Sequence, residues 1–265
     1  MSKRERYAPG TFSWVDLVTT DPAGAKTFYC ELFGWDAEDM PAGEAATYTM
    51  LSLDGDYVGG LSEMGTEQRE QGVPSHWFSY VTVESADAAA ARAGELGGKI
   101  YGGAFDVLDA GRMAIIEDPD GAMLAAWEPR EHRGAGRVND VGCMTWNELQ
   151  TRDPETASAF YSGLFGWGIE HIHRDGKLVY ATIKNAGSQN GGFMPMTEEH
   201  GDAPPFWLPY FTVASCDDAI SKARELGGEV FAGPMDLPDP PPSRIAVLGD
   251  PQGAAFAIFE GETDD

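Results

Sequence analysis

The sequence predicts an α+β fold of two tandem domains, each built from two modules in which a strand and a helix precede three further strands. Three observations lead to this prediction. The chain repeats itself after about 130 residues, helix start signals recur at matching places, and short apolar segments lie between them. The length of 265 residues fits two domains of ordinary size.

The internal repeat is clearest in its aromatic motifs. Phe28-Tyr29 aligns with Phe160-Tyr161, and Trp14 aligns with Trp146. The other recurring motifs are Asp21-Pro22 with Asp153-Pro154, Phe33-Gly34-Trp35 with Phe165-Gly166-Trp167, Gly59-Gly60 with Gly191-Gly192, Leu96-Gly97-Gly98 with Leu226-Gly227-Gly228, and Asp118-Pro119 with Asp250-Pro251. Ungapped blocks separated by short indels indicate gene duplication. We therefore expect domains at residues 1–133 and 134–265, joined by the polar, glycine-containing stretch Pro129–Asp140.

The first module opens with Phe12–Val18, an apolar segment whose period of two is typical of a strand. Asp21, followed by proline, is a strong helix N-cap, and Gly34 ends that helix. Strands are then predicted at Tyr48–Leu53 and Tyr57–Leu61, on either side of a hairpin signal. These signals give the order of the first half-domain.

The second module repeats this order. Trp77–Val83 is predicted as a strand, Ser85 caps an alanine-rich helix, and Gly97-Gly98 stops it. Further strands are predicted at Lys99–Tyr101, Met113–Glu117 and Met123–Trp127. With the second repeat, the chain should therefore contain four modules.

Composition narrows the classes of partner. The 43 acidic side chains outnumber the 18 basic ones and give a net charge of -25, which argues against nucleic acid and mildly favours neutral or cationic ligands. No apolar stretch is long enough for a membrane span, and the N-terminus does not have the pattern of a signal peptide. Three cysteines without CxxC spacing favour a reducing cytoplasm. We expect a cytoplasmic monomer or homodimer.

The ordered motifs resemble the vicinal oxygen chelate superfamily of glyoxalases, bleomycin-resistance proteins and extradiol dioxygenases. The resemblance rests on the recurring Asp-Pro, Phe-Tyr, Phe-Gly-Trp, Leu-Gly-Gly and Asp-Pro-x-Gly motifs, and it covers nearly the whole chain. It implies paired modules whose strands curl into a half-open barrel around a ligand. Duplicated chains of this type are similar to actinobacterial glyoxalase-like proteins, some of which are named hydroxylases or accompany antibiotic pathways.

The resemblance also implies where a metal would bind, because metal-dependent members use His, Gln or Glu on the first, fourth, fifth and eighth strands. In this sequence the corresponding positions hold Trp14 and Trp146, Gly60 or Leu61 and Gly192 or Phe193, Phe78 and Leu208, and Ala125 and Ala257. None of these side chains is a metal ligand. His171 and His173 share a strand face, and a chelate there is conceivable, but solvated histidines are the simpler interpretation. We expect no metal and no other cofactor.

Strand alternation places other side chains at the ligand cavity. If Trp14 and Trp146 point inward, so do Asp16 and Glu148, which become candidate catalytic groups because a carboxylate among aromatic rings has a raised pKa. The candidate ligand-binding residues are Trp14, Phe78, Tyr80, Trp127, Trp146, Leu208, Tyr210 and Phe259. Structural alternatives are aromatic core packing and carboxylates tied to the backbone or to Arg112 and Arg244.

These features lead to three hypotheses. The first is a metal-free protein that binds an apolar or aromatic small molecule, such as an antibiotic or an intermediate of secondary metabolism. The second is a metal-independent enzyme of secondary metabolism that uses Asp16 or Glu148 as general acid or base. The third, disfavoured by the metal-ligand positions, is a metal-dependent glyoxalase or dioxygenase.

Overall fold

The computed structural model describes residues 3–43, 46–237 and 241–263, and in this part of the chain sixteen strands and five α-helices form four modules. The first domain contains β1 (Phe12–Thr19), α1 (Pro22–Phe33), β2 (Asp36–Pro41), β3 (Thr47–Leu53), β4 (Asp56–Glu63), a short α2 (Thr66–Glu70), β5 (His76–Thr82), α3 (Ala86–Glu95), β6 (Lys99–Val107), β7 (Gly111–Glu117) and β8 (Met123–Pro129). The predicted order of elements is confirmed.

The second domain repeats this arrangement, with a 3-10 turn at Glu198–His200 in the place of α2. Its elements are β9 (Met144–Thr151), α4 (Pro154–Phe165), β10 (Gly168–Arg174), β11 (Lys177–Asn185), β12 (Ser188–Pro195), β13 (Phe206–Thr212), α5 (Cys216–Glu225), β14 (Glu229–Leu237), β15 (Ser243–Gly249) and β16 (Ala255–Glu260). The α+β prediction of two tandem domains, each with two modules of the same element order, is confirmed.

Each domain has one eight-stranded sheet in which its two modules meet edge to edge. The order is β2-β3-β4-β1-β5-β8-β7-β6 in the first sheet, and the second sheet has the equivalent order. Within a module the first and last strands run parallel, and the two modules join through the antiparallel pair β1–β5 or β9–β13. Neither sheet closes into a barrel, because β2 and β6, like β10 and β14, are edge strands.

Local sequence signals fix the helices as expected. The Asp21 side chain accepts a hydrogen bond from the Gly24 amide at 3.0 Å, and Gly34 ends α1 with φ of 74°. Ser85 caps α3 in the same way through the Ala88 amide at 3.2 Å. Asp153 and Ser215 do so in the second domain.

One strand of the first module, β2, has no signal in the sequence. All six residues of Asp36–Pro41 are exposed, so the segment lacks the apolar alternation that identifies a half-buried strand. It is held by antiparallel pairing with β3 along its whole length. An edge strand defined by backbone pairing alone is invisible to a search for hydrophobic periodicity.

The two domains interlock through the recurring Phe-Tyr and Asp-Pro-x-Gly motifs. The buried Tyr29 hydroxyl donates to Asp250 of the other domain at 3.1 Å and accepts from Trp77 Nε1 at 2.9 Å. The reciprocal contact joins Tyr161 to Asp118 at 3.0 Å, with Trp207 as the indole donor. The motifs recur because each supplies one half of a pseudo-twofold contact.

The Leu-Gly-Gly motifs belong to the same interface. A Cβ atom at Gly98 would lie 2.8 Å from Phe160 Cε2, and one at Gly228 would lie 2.9 Å from Phe28 Cε2. Any larger residue would push the facing helix away. Two aromatic clusters that mix residues of both domains form the main core, and Trp35 anchors one of them through a hydrogen bond to the Gly142 carbonyl at 2.7 Å.

The segment between the two sheets, residues 130–143, is packed against the first domain, and we call it the strap. The Ala135 and Gly136 amides donate to the carbonyls of Ser13 and Tyr57, and the Arg137 guanidinium pairs with Asp54 and Asp56. This stretch therefore has the composition of a linker but the contacts of a structural strap. None of the helices in the described ranges is long and apolar enough to cross a membrane.

Candidate functional site

Each sheet has an inner face, by which we mean the face opposite the helices and the partner domain. On β1, Val15 and Leu17 point into the interdomain core, whereas Trp14 and Asp16 point to the inner face. The same alternation on β9 places Trp146 and Glu148 on the second inner face. Strand alternation thus puts Trp14 with Asp16, and Trp146 with Glu148, on one face of each sheet.

The first-domain site is a carboxylate held by two phenols. Asp16 Oδ2 accepts hydrogen bonds from Tyr80 at 2.8 Å and from Tyr48 at 3.3 Å, and the Tyr48 hydroxyl accepts one from Trp14 Nε1 at 2.9 Å. Asp16 is 5% exposed, and its Oδ1 atom has no partner. Burial raises the pKa of Asp16 to about 6, against the lowering effect of the two tyrosine hydroxyls.

The second-domain site has the same plan with one added polar group. Glu148 Oε1 accepts hydrogen bonds from the Tyr210 hydroxyl at 2.8 Å and from Gln150 Nε2 at 2.6 Å. The Tyr180 hydroxyl also contacts this carboxylate, and it accepts a hydrogen bond from Trp146 Nε1 at 3.0 Å. Burial raises the pKa of Glu148. Here the buried acceptor without a partner is Gln150 Oε1.

Gly60 and Gly192 make these arrangements sterically possible. A Cβ atom would lie 1.9 Å from the Tyr48 hydroxyl at the first position and 2.0 Å from the Tyr180 hydroxyl at the second. The recurring Gly-Gly pair therefore marks a place where a side chain approaches the backbone closely. Leu61 and Phe193 lie on the opposite face of their strands, in the core.

Aromatic side chains close the first inner face. The ring of Phe78 lies 5.7 Å from that of Tyr80, and Trp127 lies 6.1 Å from Tyr80 on the other side. His132, from the strap between the domains, packs its ring 4.4 Å from Trp14. The backbone carbonyl of His132 also accepts from Trp127 Nε1 at 3.0 Å. Burial lowers the pKa of His132 to about 4, and its Nε2 has no partner.

The second inner face is more exposed than the first at Trp146 and Phe259, although Leu208 is buried where its counterpart Phe78 is partly exposed. Leu208 and Tyr210 are buried, but Trp146, Phe206 and Phe259 are partly exposed around them and form a separate apolar cluster. Trp14 and Trp127, the first-domain counterparts of Trp146 and Phe259, are 2% and 4% exposed. The two inner faces thus share a buried carboxylate bound by tyrosine hydroxyls, which we call the floor of each face. They differ in the exposure of the aromatic side chains around it.

Exposed apolar side chains occur at matching places on the edge strands of both inner faces. Met40 and Phe105 in the first domain correspond to Ile172 and Met235 in the second, and their exposure lies between 39% and 44%. Large apolar side chains that remain exposed together on one surface are typical of interaction or binding sites.

Comparison with known proteins identifies the family. The model of the Glyoxalase/Bleomycin resistance protein/Dioxygenase superfamily matches residues 11–126 and again residues 143–258. The chain belongs to this superfamily. Because each match spans two modules of one sheet, the superfamily domain is present twice.

Relatives of the whole chain are similar in length. The chain is 39% identical over 263 residues to the proposed glyoxylase CFP32 of Mycobacterium tuberculosis, with 98% of each chain covered. It is 34% identical to the anthracycline biosynthesis protein DauV of Streptomyces sp. (strain C5), with 96% of this chain and 94% of that protein covered. These relatives share the tandem arrangement along nearly their full length.

Solved structures support the fold. A Mn(II)-bound glyoxalase from Novosphingobium aromaticivorans superposes with a TM-score of 0.66 at 15% identity, covering 100% of this chain and 85% of that one. A variant of homoprotocatechuate 2,3-dioxygenase from Brevibacterium fuscum gives 0.67 at 16% identity, covering 98% and 74%. At such identities the likeness concerns the fold alone.

The inner faces do not offer the ligands of a metal-dependent superfamily member. Ala125 lies beside Tyr80 in the sheet and, like Phe78, has no donor atom, while each floor has one carboxylate already bound by tyrosine hydroxyls. Across residues 3–43, 46–237 and 241–263, no three His, Cys, Asp or Glu side chains form a group that could hold a metal ion. The residues present do not fit a superfamily metal.

The histidine pair of β10 lies outside the inner face. His171 and His173 are exposed with ring centroids 6.3 Å apart, and His171 Nε2 lies 2.9 Å from the Ser158 hydroxyl of α4. This placement favours the interpretation of two solvated histidines.

The sequence also allows Arg112 and Arg244 as partners of the inner carboxylates. The idea that Arg112 or Arg244 neutralises the inner carboxylates is wrong, because both point to the helix side, where Arg112 pairs with Asp87 and Arg244 with Asp217. Arginines one residue out of phase with the inner positions of β7 and β15 necessarily face the helices.

Further side chains contact the predicted site residues: the polar candidates Tyr48 and Tyr180, together with Gln150 and His132. Tyr48 and Tyr180 recur in the repeat, and that recurrence was their signal. Gln150 follows from alternation with Glu148 on β9. His132 has no signal, because only the path of the strap places its ring on the first inner face.

Proposed function

We propose that this superfamily member is a metal-free small-molecule-binding protein of secondary metabolism, which holds a flat, apolar or aromatic ligand on its inner faces. The observation that carries the proposal is the repeated buried carboxylate fixed by tyrosine hydroxyls, which in each domain has an unpartnered buried acceptor atom on it or on the neighbouring side chain. That atom is Asp16 Oδ1 in the first domain and Gln150 Oε1 in the second.

An unpartnered buried acceptor points to a missing donor, because almost all buried polar atoms in proteins are hydrogen-bonded. A ligand hydroxyl or amine that lies on the floor would supply this donor. The surrounding Trp, Tyr and Phe rings would cover the planar part of the ligand. The arrangement therefore supports a ligand with a ring system and at least one hydrogen-bond donor.

The names of the relatives give the ligand class to test. Two Streptomyces proteins that are 33–34% identical to this chain are named anthracycline biosynthesis proteins. Anthracyclines are planar, polycyclic and hydroxylated, which matches the chemistry of the inner faces. We propose a ligand of this aromatic polyketide type.

We expect the ligand to bind the second domain first. Trp146 and Phe259 are partly exposed there, whereas His132 covers Trp14 in the first domain. A ligand would enter the first site when the His132 ring moves aside, and it would enter the second without such a step.

The test is a fluorescence titration with a fluorescent anthracycline. Wild-type protein should bind it, and Glu148→Gln and Gln150→Met should each weaken binding about tenfold, the effect of losing one charge-assisted or buried hydrogen bond. The exposed Asp202→Asn is the matched control and should bind like wild type. Chelator-treated protein should bind equally well. Absence of binding, or binding that neither site variant changes, would contradict the proposal.

The raised pKa of Asp16 supports a second candidate, a metal-independent enzyme with Asp16 or Glu148 as general acid or base. The discriminating measurement is product formation from a bound aromatic polyketide. Turnover that is lost in Asp16→Asn or Glu148→Gln, while the Asp202→Asn control stays active, would favour the enzyme. Binding without turnover would favour the binding protein.

A further inference from the structure

A cleft of about 340 Å³ lies where the N-terminal segment meets the end of β8 and the strap between the domains. Its lining residues are Arg6, Tyr7, Pro129, Arg130 and Arg133. Three guanidinium groups thus share one cleft with the side chains of Tyr7 and Pro129, and no carboxylate belongs to the lining.

This cluster of positive charge contrasts with the strongly negative net charge of the whole chain. The net charge is -25, and most lysines and arginines form ion pairs on the surface, such as Arg69 with Glu63 and Lys222 with Glu31. In the described ranges, Arg6 and Arg133 have neither an acidic partner nor a hydrogen bond from their side chains. They are therefore free to bind an external anion.

Arg130 does not have a carboxylate partner to itself. Its Nη2 atom lies 2.8 Å from Asp106 Oδ1, and the same oxygen also pairs with Arg112 at 3.0 Å. One carboxylate is thus shared by two guanidiniums at an exposed site, so it only partly offsets the charge that Arg130 brings to the cleft.

The walls of the cleft are fixed by contacts that do not involve the arginines. The Tyr7 hydroxyl donates to the Ala135 carbonyl at 2.7 Å, and the Arg4 amide donates to the Gly136 carbonyl at 2.9 Å. Gly134, with φ of 106°, lets Tyr7 approach closely, since a Cβ atom there would lie 2.9 Å from Tyr7 Cε2. The N-terminal segment and the strap therefore form a preorganised site rather than two loose tails.

We propose that this cleft binds a small aromatic anion, with a carboxylate, sulfonate or phosphate between the Arg6 and Arg133 guanidiniums and the ring against Tyr7 and Pro129. Guanidinium groups suit such oxyanions because their planar N–H donors match the anion's oxygen atoms. The proposal is tested separately from the proposed function, because the two guanidiniums that would bind the anion, Arg6 and Arg133, do not contact either inner carboxylate.

The experiment compares two fluorescent probes with similar ring systems. 1-Anilinonaphthalene-8-sulfonate carries the anionic group, and N-phenyl-1-naphthylamine has no charge. We expect Arg6→Gln and Arg133→Gln each to weaken sulfonate binding three- to tenfold, and salt to weaken it in the wild type. Both arginines are exposed, so the fold should tolerate the substitutions. Arg224→Gln, an exposed arginine of α5, is the control.

The neutral probe separates this proposal from that for the inner faces. Its binding should be the same in all arginine variants and should respond instead to Glu148→Gln. Sulfonate binding that is absent, insensitive to salt or unchanged in the Arg6→Gln, Arg133→Gln double variant would overturn the anion site. That result would leave the inner-face proposal standing, because the latter is judged by the anthracycline titration.

Discussion

The two inner faces show how far the halves of a duplicated protein can diverge while their frame stays the same. Both present a carboxylate held by two tyrosine hydroxyls, with an indole donor behind one of them. However, Asp16 is replaced by the longer Glu148, and Val18 by Gln150, which binds that carboxylate at 2.6 Å. His132 adds a cover to the first face.

The interface between the domains has diverged much less. Tyr29 and Tyr161 make equivalent contacts to Asp250 and Asp118, and their hydrogen-bond lengths differ by no more than 0.1 Å. The contrast indicates that packing constrains the interface in both halves equally, whereas the side chains around the two inner carboxylates are less constrained.

The largest effect should come from breaking the shared frame. Tyr29→Phe would leave the Trp77 indole and the Asp250 carboxylate without their buried partner, at a cost of about 2–4 kcal/mol in the free energy of unfolding. Tyr161→Phe should cost the same within experimental error, because its contacts are equivalent. Urea denaturation measures both. Unequal losses would show that the interface is less symmetric than its geometry.

A smaller effect, a gain in stability rather than a loss, is expected when Asp16 on the first inner face is replaced. The folded pKa of Asp16, about 6, lies above the ordinary value of 3.8, so its protonated form favours folding. Its contribution is full below about pH 4 and is lost as the pH rises through 6, a loss of up to about 3 kcal/mol.

Asp16→Asn should therefore unfold at a higher urea concentration than wild type at pH 8, and the difference should shrink toward pH 4. The asparagine keeps an acceptor for Tyr48 and Tyr80, so the variant should fold. Glu148→Gln should act in the same direction, since burial also raises the pKa of Glu148. A wild type more stable than Asp16→Asn at pH 8 would contradict the raised pKa.

The smallest effect should appear at the cover of the first face. His132→Ala removes the ring that packs on Trp14, so acrylamide should quench tryptophan fluorescence more strongly and a second anthracycline should bind per chain. The folded pKa of His132 is lowered to about 4, so wild type loses stability as the pH falls from about 6.5 toward 4, and the variant should lack this loss. Unchanged quenching would show that His132 does not close the site.

Much of this molecule could be predicted locally. Asp21 and Ser85 mark helix starts because capping is a contact between neighbours in sequence, and the inner positions of Asp16 and Glu148 follow from strand alternation. The exposed strand Asp36–Pro41 could not be predicted, since its cause is pairing with β3 rather than a pattern of its own.

By itself, the sequence determined the repeat, the four modules, the helix ends and the pairing of a carboxylate with aromatic rings on one face of each sheet. Only the tertiary structure decided that Arg112 faces a helix, that Tyr29 reaches Asp250 across the domains, and that His132 covers one floor. The physical reason is that these contacts join residues far apart in the sequence. Periodicity records which face a side chain occupies, but the group that meets it there comes from a distant part of the chain.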